Sequence, residues 1–483
     1  MPSRPLRLVT SLVIVAGLSA AEEPMPFSGQ SANTPPPAPV GGPTPVPGTA
    51  GMGRIYGSKN ERQVFIQGLV DLDYIAKNNF NDGSSDLSDS VHQGLLRGEL
   101  GARIELDERL EVKLTVAYDA ETGDRTWTQQ DDDSNPGQVV MDDAYVVLKE
   151  FLNRPNLGVQ AGRQPVAWNL RTDYGAFLYD SRSDDPDVTS WDGVRGSFAI
   201  ETLTFMPYIY DMTDESELYG IALDWQPAQG ESNGLFLTAS ANLVRDPVVY
   251  GATAGGLTAP VWLADLAPGS ITARSLYTYY GGAEMRFDNG LDLFFEGALQ
   301  RGTGDNDIRF AGYGVSGGID WHPRTVNQMV FGIQGDWLRG DDDTTDAKIR
   351  AFQNPWEGVQ DTLIAEHEKY GEILRFADRA GAGRRAGKLK GEIALDRANR
   401  FRLGSIYAYY LLDQAPIGGN GSKDFGQELD LKLTWQYDDA NRARIGLMGG
   451  IFQPGRGFSQ IAPSQPADQE LIWLFASNLE VAF

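Results

Sequence analysis

The chain contains no cysteine, and its only histidines are His92, His322 and His367. Without cysteine there are neither disulfides nor thiolate metal sites, and three scattered histidines make no ligand cluster. We therefore expect no metal and no cofactor. No segment carries eighteen consecutive apolar residues, so the sequence predicts no transmembrane helix.

Basic residues are scarce relative to acidic ones. The chain has 41 Lys and Arg against 66 Asp and Glu, a formal net charge of −25. Such an acidic chain is not expected to bind the phosphate backbone of a nucleic acid. No Ser-His-Asp arrangement is visible either, so we expect no catalytic residues and no enzymatic activity.

Glycine and aromatic residues, by contrast, are abundant. There are 56 glycines, and 10% of the chain is Phe, Trp or Tyr. The last segment alternates, with Leu471, Trp473, Phe475 and Phe483 on one face. A final strand that is aromatic along one face and ends on Phe is typical of bacterial outer-membrane β-barrels, where aromatic girdles mark the membrane interfaces.

The N-terminal region predicts export. Arg4 and Arg7 precede an apolar run of signal-peptide length, residues 8–18, and small residues follow it. We interpret residues 1–21 as a cleaved signal peptide. Residues 22–56 are rich in Pro and Gly and lack apolar spacing, which predicts a disordered periplasmic leader, or alternatively a segment that docks a partner. Residues 57–483 then form one barrel domain.

From residue 62 onward, apolar and polar residues alternate. The segments 110–119, 291–300 and 429–437 each place apolar side chains on one face and mostly polar or charged ones on the other. This pattern favours strands with lipid outside and water inside. A soluble sheet would need a second layer to cover so many apolar faces, and no helical pattern supplies one.

Connection lengths give an independent signal, because short turn-rich joins alternate with long ones. The predicted strands lie near 62–75, 92–106, 109–119, 141–150, 157–165, 194–200, 203–211, 218–226, 233–244, 274–287, 291–301, 309–321, 327–339, 386–396, 400–413, 425–437, 442–453 and 470–483. Short periplasmic turns and long outer loops are characteristic of transmembrane barrels. The predicted fold is thus all-β, a transmembrane antiparallel β-barrel of about 18 strands with both termini in the periplasm.

The long join 340–385 has two interpretations: it either lies outside the barrel or folds over or into the pore. Its segment 347–370 has few turn residues after Trp356 and is a candidate helix. The acidic loop clusters, among them Asp131–Asp133 and Asp341–Asp343, are most simply solvated. The alternative is that they bridge divalent cations to lipopolysaccharide, which with outer-membrane lipid is an expected partner.

Strand parity nominates lumen residues. If Leu96, Leu100 and Ile104 face lipid, Arg97 and Arg103 face the lumen. The same argument turns further side chains inward: Glu99, Glu105, Lys113, Lys149, Arg286, Lys388, Lys390, Glu392, Arg400, Arg402, Lys432, Arg444, Asp71, Asp73, Asp292, Glu296, Asp336, Glu428 and Asp430. A lumen that gathers Arg and Lys selects for anions. Alternatively, inward acids neutralise these cations and the pairs only fill space.

Several motifs resemble landmarks of the alginate-export outer-membrane proteins. They are Gly94-Leu-Leu-Arg-Gly-Glu-Leu, Ala161-Gly-Arg-Gln, Gly371-Glu-Ile-Leu-Arg, Gly426-Gln-Glu-Leu-Asp-Leu and Gly449-Gly-Ile-Phe-Gln-Pro-Gly. The resemblance implies an eighteen-stranded barrel with an arginine-rich constriction that passes an anionic uronate polymer, together with periplasmic secretion partners. It nominates Arg97, Arg163 and Arg375; strand parity makes Arg103, Arg402 and Arg444 the next candidates for the pore. Arg163 shares parity with apolar neighbours, so a bulge at Gly162 is needed to turn it inward.

Two functions are therefore open. The first is an outer-membrane channel that exports or passes an anionic polysaccharide or oligosaccharide through an arginine-lined pore. The alternative is a general diffusion porin for small solutes, including small anionic ones.

Overall fold

The structure is a computed structural model. It describes residues 53–56, 63–79, 91–123, 137–166, 190–212, 216–229, 234–245, 248–250, 271–304, 307–323, 328–342, 348–353, 361–367, 371, 373–374, 377, 381–415, 421–437, 443–461 and 470–482. The predicted signal peptide, most of the predicted leader, the acidic clusters near residues 86 and 131, and Phe483 lie outside these residues.

Eighteen long strands form the barrel. They are β1 (Gln63–Asn78), β2 (Val91–Glu105), β3 (Leu110–Gly123), β4 (Gln138–Leu148), β5 (Leu157–Gln164), β6 (Trp191–Ile200), β7 (Leu203–Asp211), β8 (Glu217–Gln229), β9 (Gly234–Arg245), β10 (Ile271–Arg286), β11 (Leu291–Gly304), β12 (Tyr313–Trp321), β13 (Val330–Leu338), β14 (Arg384–Ala394), β15 (Phe401–Leu412), β16 (Asp424–Gln436), β17 (Ala443–Pro454) and β18 (Ile472–Ala482).

Each strand pairs antiparallel with the next, and β18 returns to β1 with Leu69 opposite Ala482 and Asn78 opposite Trp473. The predicted eighteen-stranded antiparallel barrel is confirmed.

A few short elements accompany the barrel. They are the strands Gly53–Tyr56, Val248–Tyr250, Arg309–Phe310 and Lys348–Ile349, a 3-10 turn at Phe151–Asn153 and a single helical turn at Phe458–Ile461. Among the described residues, no helix is long and apolar enough to cross a membrane.

Side-chain burial alternates along the strands as the sequence predicts. In β13, for example, Phe331 and Ile333 are exposed on the outer face, whereas Gly332 and Gln334, which alternate with them, are buried on the inner face. Exposed aromatic residues collect near both ends of the strands. Trp321 packs against Phe331 near the short turns, and Tyr313 packs against Trp337 near the long connections. These two belts are the aromatic girdles expected at the membrane interfaces.

The short turns are held by local side-chain bonds. Between β2 and β3, Asp107 Oδ1 accepts hydrogen bonds from the backbone N–H groups of Arg109 (2.7 Å) and Leu110 (2.8 Å). Between β10 and β11, Gly290 adopts a positive φ of 80°, a conformation that costs glycine little. Because such turns are tight, they fix the register of the strands on either side.

The strand Gly53–Tyr56 differs from the sequence interpretation, which placed it in a disordered leader. It pairs antiparallel with β1, with Gly53 opposite Ile66 and Arg54 opposite Phe65. The pairing has a physical reason: the described part of β18 reaches β1 only as far as Leu69. Below that point the edge of β1 offers unpaired backbone groups, which the N-terminal segment satisfies.

We predict that Val194→Arg impairs folding into a bilayer. Val194 is exposed on the outer face near the middle of β6, and arginine facing lipid at the midplane costs roughly 2–4 kcal/mol. Ser197→Arg on the inner face of the same strand is the control, since the inner face already carries Arg195. The measurement is the free energy of unfolding from lipid vesicles in denaturant. Equal losses for the two variants would contradict the assigned faces.

Candidate functional site

The lumen contains part of the long connection between β13 and β14. We call the described residues between Asp361 and Ala382 the inner segment. Its apolar residues Leu363, Ile364, Ile373 and Leu374 are almost fully buried. They form one cluster with inward-facing residues of β1 and β15–β18: Ile75, Ala408, Tyr410, Leu412, Phe425, Met448, Phe452, Ile472, Leu474 and Ala476. The inner segment therefore lies inside the barrel and covers an apolar patch that would otherwise face water.

Two carboxylates on β16 hold the backbone of the inner segment. Asp430 Oδ2 accepts the N–H of Leu363 at 2.9 Å, and the Glu428 carboxylate accepts the N–H groups of Ile364 (2.6 Å) and Ala365 (2.9 Å). Both acids are buried. Their side chains lie two residues apart on one strand and thus point to the same face. This pair fixes where the inner segment meets the wall.

Lys388 on β14 provides a second anchor. Its Nζ lies 2.8 Å from Asp361 Oδ2, 2.6 Å from Glu366 Oε1 and 3.1 Å from Asp336 Oδ2. Lys390 Nζ is 2.7 Å from Asp361 Oδ1. Burial raises the pKa of Asp361, but the two lysines outweigh burial and lower that pKa to about 2. Asp361 is therefore charged at neutral pH and binds the inner segment to β14.

A glycine on β17 makes room for this contact. A Cβ at Gly450 would lie 2.4 Å from Asp430 Oδ1 and 3.3 Å from Ile364 Cδ1. Any larger residue there would displace the carboxylate or the inner segment. The close approach between β17 and the inner segment thus depends on the absence of a side chain at residue 450.

The same connection also touches the wall at β11 before it reaches the inner segment. The Gln300 side chain on β11 donates to Gln353 O at 2.6 Å and accepts from Gln353 N at 2.7 Å. Phe352 beside it is buried. The connection is thus fixed at β11 and again at β14–β16.

Arg97 lies on the inner face of β2 within a carboxylate group. Its guanidinium is 2.6 Å from Glu99 Oε1, 3.2 Å from Asp119 Oδ1 and 3.3 Å from Asp142 Oδ2. Asp142 reaches it because of a bulge: the pairing of β3 with β4 passes from Asp143 to Met141 and leaves Asp142 unpaired. Both Asp142 and Asp143 are buried on the inner face as a result.

The other nominated lumen arginines also have carboxylate partners. Arg103 pairs with Glu105 at 3.2 Å, Arg402 with Glu392 at 3.0 Å, and Arg444 with Glu480. The sequence correctly anticipates their inward parity, and its alternative that inward acids neutralise these cations agrees with the ion pairs. Which carboxylate meets which arginine depends on the register between strands. The arginines therefore form ion pairs along the wall rather than an isolated cationic ring.

In two of these inner-face pairs, and in the pair of Arg286 with Glu284, the cation is more exposed than its partner, whereas Arg103 is 23% exposed against 31% for Glu105. The side-chain exposure is 18% for Arg402 against 10% for Glu392, and 13% for Arg444 against 7% for Glu480. Arg286 is 31% exposed, and its partner Glu284 is 3% exposed. A solute in the lumen therefore meets guanidinium groups first in these pairs, with the carboxylates behind them.

Arg163 is not where the pore hypothesis needs it. It pairs with Ala144 and Asp192 in an unbroken register, with no bulge at Gly162. Ala144 lies opposite the outward-facing Leu114, so Arg163 has the outward parity, and it lies 3.6 Å from Asp192. The positive φ of Gly162 (118°) distorts the strand without shifting its register.

Two further sequence expectations concern the long connection. Arg375 lies outside the described residues. The candidate helix at 347–370 is wrong for the described parts, which form the strand Lys348–Ile349 and turns at 361–367. In the second part, the N–H groups of Leu363 and Ile364 bond to Asp430 and Glu428, and that of His367 bonds to Thr362 O, five residues back rather than four.

Sequence reasoning missed a second buried cluster on the inner faces of β6–β9. Trp191, Tyr208 and Tyr210 are buried there, with ring centroids 6.2 Å and 5.8 Å apart in the two contacting pairs. A Cβ at Gly220 would lie 2.2 Å from the ring of Tyr208, which crosses that glycine to donate to Asn242. Glycines on neighbouring strands opposite tyrosines are the signal that could have located this cluster.

Comparison with known proteins concerns the fold. No protein-family model and no curated protein matches the chain. Among solved structures, it is similar to OccK11 (OpdR) of Pseudomonas aeruginosa, with 12% identity over 89% of this chain and 99% of that chain, and a TM-score of 0.53. OccAB4 of Acinetobacter baumannii has 9% identity, 88% and 99% coverage, and a TM-score of 0.54.

A third similar structure is OccK8 (OprE) of Pseudomonas aeruginosa, with 10% identity, 87% and 98% coverage, and a TM-score of 0.53. These neighbours are outer-membrane porins with an eighteen-strand barrel. The alginate-export family is not identified by any comparison. The chain therefore shares the architecture of outer-membrane porins.

We predict that Lys388→Met releases the inner segment. The neutral side chain leaves Asp336, Asp361 and Glu366 buried without their shared cation, which costs about 3–5 kcal/mol. Single-channel conductance in planar bilayers should rise as a result. Lys149→Met is the control, since Lys149 is 40% exposed and such pairs contribute about 0–1 kcal/mol. Unchanged conductance in a folded Lys388→Met barrel would contradict the anchoring role.

Proposed function

We propose that the protein is a passive diffusion channel of the bacterial outer membrane for small solutes. The closed barrel supports this proposal, because its inner face is polar and its outer face apolar. The shared architecture with outer-membrane porins supports it as well. The observation that carries it is the inner segment, which occupies part of the lumen, while charged pairs such as those of Arg97 and Arg402 line other parts of the wall.

The inner segment favours small solutes over a polymer. It occupies the lumen beside β14–β18 and is bound there by hydrogen bonds and buried ion pairs. The open cross-section is therefore smaller than that of the empty barrel. A long chain would need every repeat unit to pass this constriction, whereas a small solute needs to pass it once.

We also propose a preference for small anionic solutes. Arg286, Arg402 and Arg444 expose more of their side chains to the lumen than do Glu284, Glu392 and Glu480. An anion that enters meets these guanidinium groups at short range. Each guanidinium group can exchange its wall carboxylate for a carboxylate of the solute. Such binding is weak and can recur at successive sites, as conduction through a pore requires.

An anionic polysaccharide is the second hypothesis. Its support is the motif resemblance and the inward parity of Arg97, Arg402 and Arg444. Its weakness is that each of these arginines already has a carboxylate partner. Export of a polymer would also need the inner segment to move, and periplasmic secretion partners belong to this hypothesis.

Solute uptake into vesicles tests the main proposal. The purified barrel in liposomes should admit monosaccharides and amino acids quickly, and the rate should fall steeply with solute size. Lys388→Met should shift the size limit upward if the inner segment sets it. Vesicles with folded protein that swell no faster than empty vesicles would refute the diffusion-channel proposal. Rapid passage of uronate oligomers regardless of length would favour the polysaccharide hypothesis.

We predict that the wild-type channel prefers chloride over potassium despite its net charge of −25. Distant loop charge is screened over about 8 Å at physiological salt, so groups at the lumen surface dominate. Replacing Arg286, Arg402 and Arg444 together by Gln should reverse the preference, because their carboxylate partners stay. The measurement is the reversal potential across a KCl gradient in planar bilayers.

The control for this variant is Arg154→Gln with Arg397→Gln, two exposed arginines in the short turns. It should leave the reversal potential near the wild-type value. A potassium-selective wild type would rule out the anion preference and leave the diffusion channel intact.

A further inference from the structure

A row of cationic and hydroxyl side chains crosses the outer face near the long connections. Arg245 on β9 lies opposite Ser275 on β10, and Ser275 lies opposite Thr303 on β11. Thr303 in turn lies opposite Arg309, which pairs in parallel with Lys348. We call these five residues the outer row. With strands about 4.8 Å apart, the outer row spans about 19 Å.

The register places the outer row outside the barrel. Thr303, Arg309 and Lys348 are exposed. Their chain neighbours Phe310 and Ile349 are 2% and 1% exposed, on the inner side. Because side chains alternate along a strand, the outer row faces the membrane and not the lumen. None of its members takes part in the proposed pore.

Arg301 lies next to the outer row, on the side nearer the middle of β11. It lies opposite Tyr277 and two residues before Thr303 on the same face of β11. Arg301 and Arg309 are thus diagonal neighbours, about 7–8 Å apart at their backbones. Between them, the hydroxyls of Ser275 and Thr303 lie 3.1 Å from each other. Two guanidinium groups and two hydroxyls therefore share one exposed patch.

The guanidinium groups of Arg301 and Arg309 lack acidic partners among the residues that the structure describes, whereas Arg245 lies 3.7 Å from Glu217. Arg301 donates only to Gln300 O, at 2.6 Å, and Arg309 makes no ion pair there. Elsewhere on the outer face, arginines have carboxylates: Arg163 lies beside Asp192 and Arg385 binds Asp413. Arg301 and Arg309 thus form an exposed cationic pair that no carboxylate of the described ranges neutralises.

The outer row sits at the level of lipid headgroups. Tyr277 and Tyr279 lie below it on β10 and are 41% and 51% exposed. Exposed tyrosines on this face mark the boundary between hydrocarbon and headgroups. The long connection between β9 and β10 starts at the same rim, and long connections lie on the outer side of the membrane. The outer row therefore meets the outer leaflet.

We propose that the outer row and Arg301 bind a phosphate-bearing glycolipid headgroup of the outer leaflet. Guanidinium groups bind phosphate through paired, charge-assisted hydrogen bonds. The hydroxyls of Ser275 and Thr303 add donors suited to phosphate or sugar oxygens. The inference rests on the outer-membrane placement that the proposed function assumes, but not on conduction.

Binding of diphosphoryl lipid A to the full-length barrel in detergent tests this site. Native mass spectrometry would compare the wild type, Arg301→Gln with Arg309→Gln, and the matched control Arg154→Gln with Arg397→Gln at the opposite rim. Wild type and control should bind equally, and the Arg301/Arg309 variant roughly thirtyfold more weakly, as expected when two cations are removed from a headgroup site. Lipid A stripped of phosphate should bind wild type and variant alike.

Several outcomes would overturn the proposal. One is equal weakening in the control variant, and another is equal binding of phosphorylated and dephosphorylated lipid A. Displacement of lipid A by millimolar inorganic phosphate would show a site for free phosphate instead of a headgroup.

Channel conductance separates this inference from the proposed function: the Arg301/Arg309 variant should conduct like the wild type. A wild type that binds lipid A but does not conduct would refute only the diffusion channel.

Discussion

The pairing of β18 with β1 is the interaction on which the rest of the structure depends. In hydrocarbon every backbone N–H and C=O must be satisfied within the protein, so a sheet in a membrane has to close. The pairing runs from Leu69 opposite Ala482 to Asn78 opposite Trp473, and Gly53–Tyr56 satisfies β1 beyond it. Closure fixes the register, and the register decides which side chains face lipid and which face the lumen.

The strands alone leave part of the inner face apolar and open to the lumen. The inner faces of β15–β18 carry apolar residues such as Phe425 and Phe452. Exposed to water, this patch would be unfavourable. The inner segment covers it, and its buried contacts with Lys388 and Glu428 determine its position. Buried ion pairs add little net stability, but they penalise any placement that leaves a charge without its partner.

Charge is sorted differently on the two faces. On the inner face, cations lie among carboxylates of the same and neighbouring strands. Arg97, for example, contacts three acids. On the outer face near the long connections, Arg301 and Arg309 have no such acids among the described residues. A wall of balanced pairs suits passage of solutes, whereas unbalanced cations at headgroup level suit a fixed anionic partner.

The sequence by itself determined what depends on local chemistry. Turn residues and period-two alternation predicted eighteen strands and the inward parity of Arg97, Arg402 and Arg444, because side-chain direction follows from position along a strand. The tertiary structure decided what depends on register between distant strands. Arg163 stays outward because no bulge shifts its pairing. Asp142 reaches Arg97 through a bulge that only the pairing of β3 with β4 reveals. Ile364 packs over Gly450, although nearly a hundred residues separate the two in the sequence. Such contacts leave no periodic signal, since each partner's position is set by a different part of the chain.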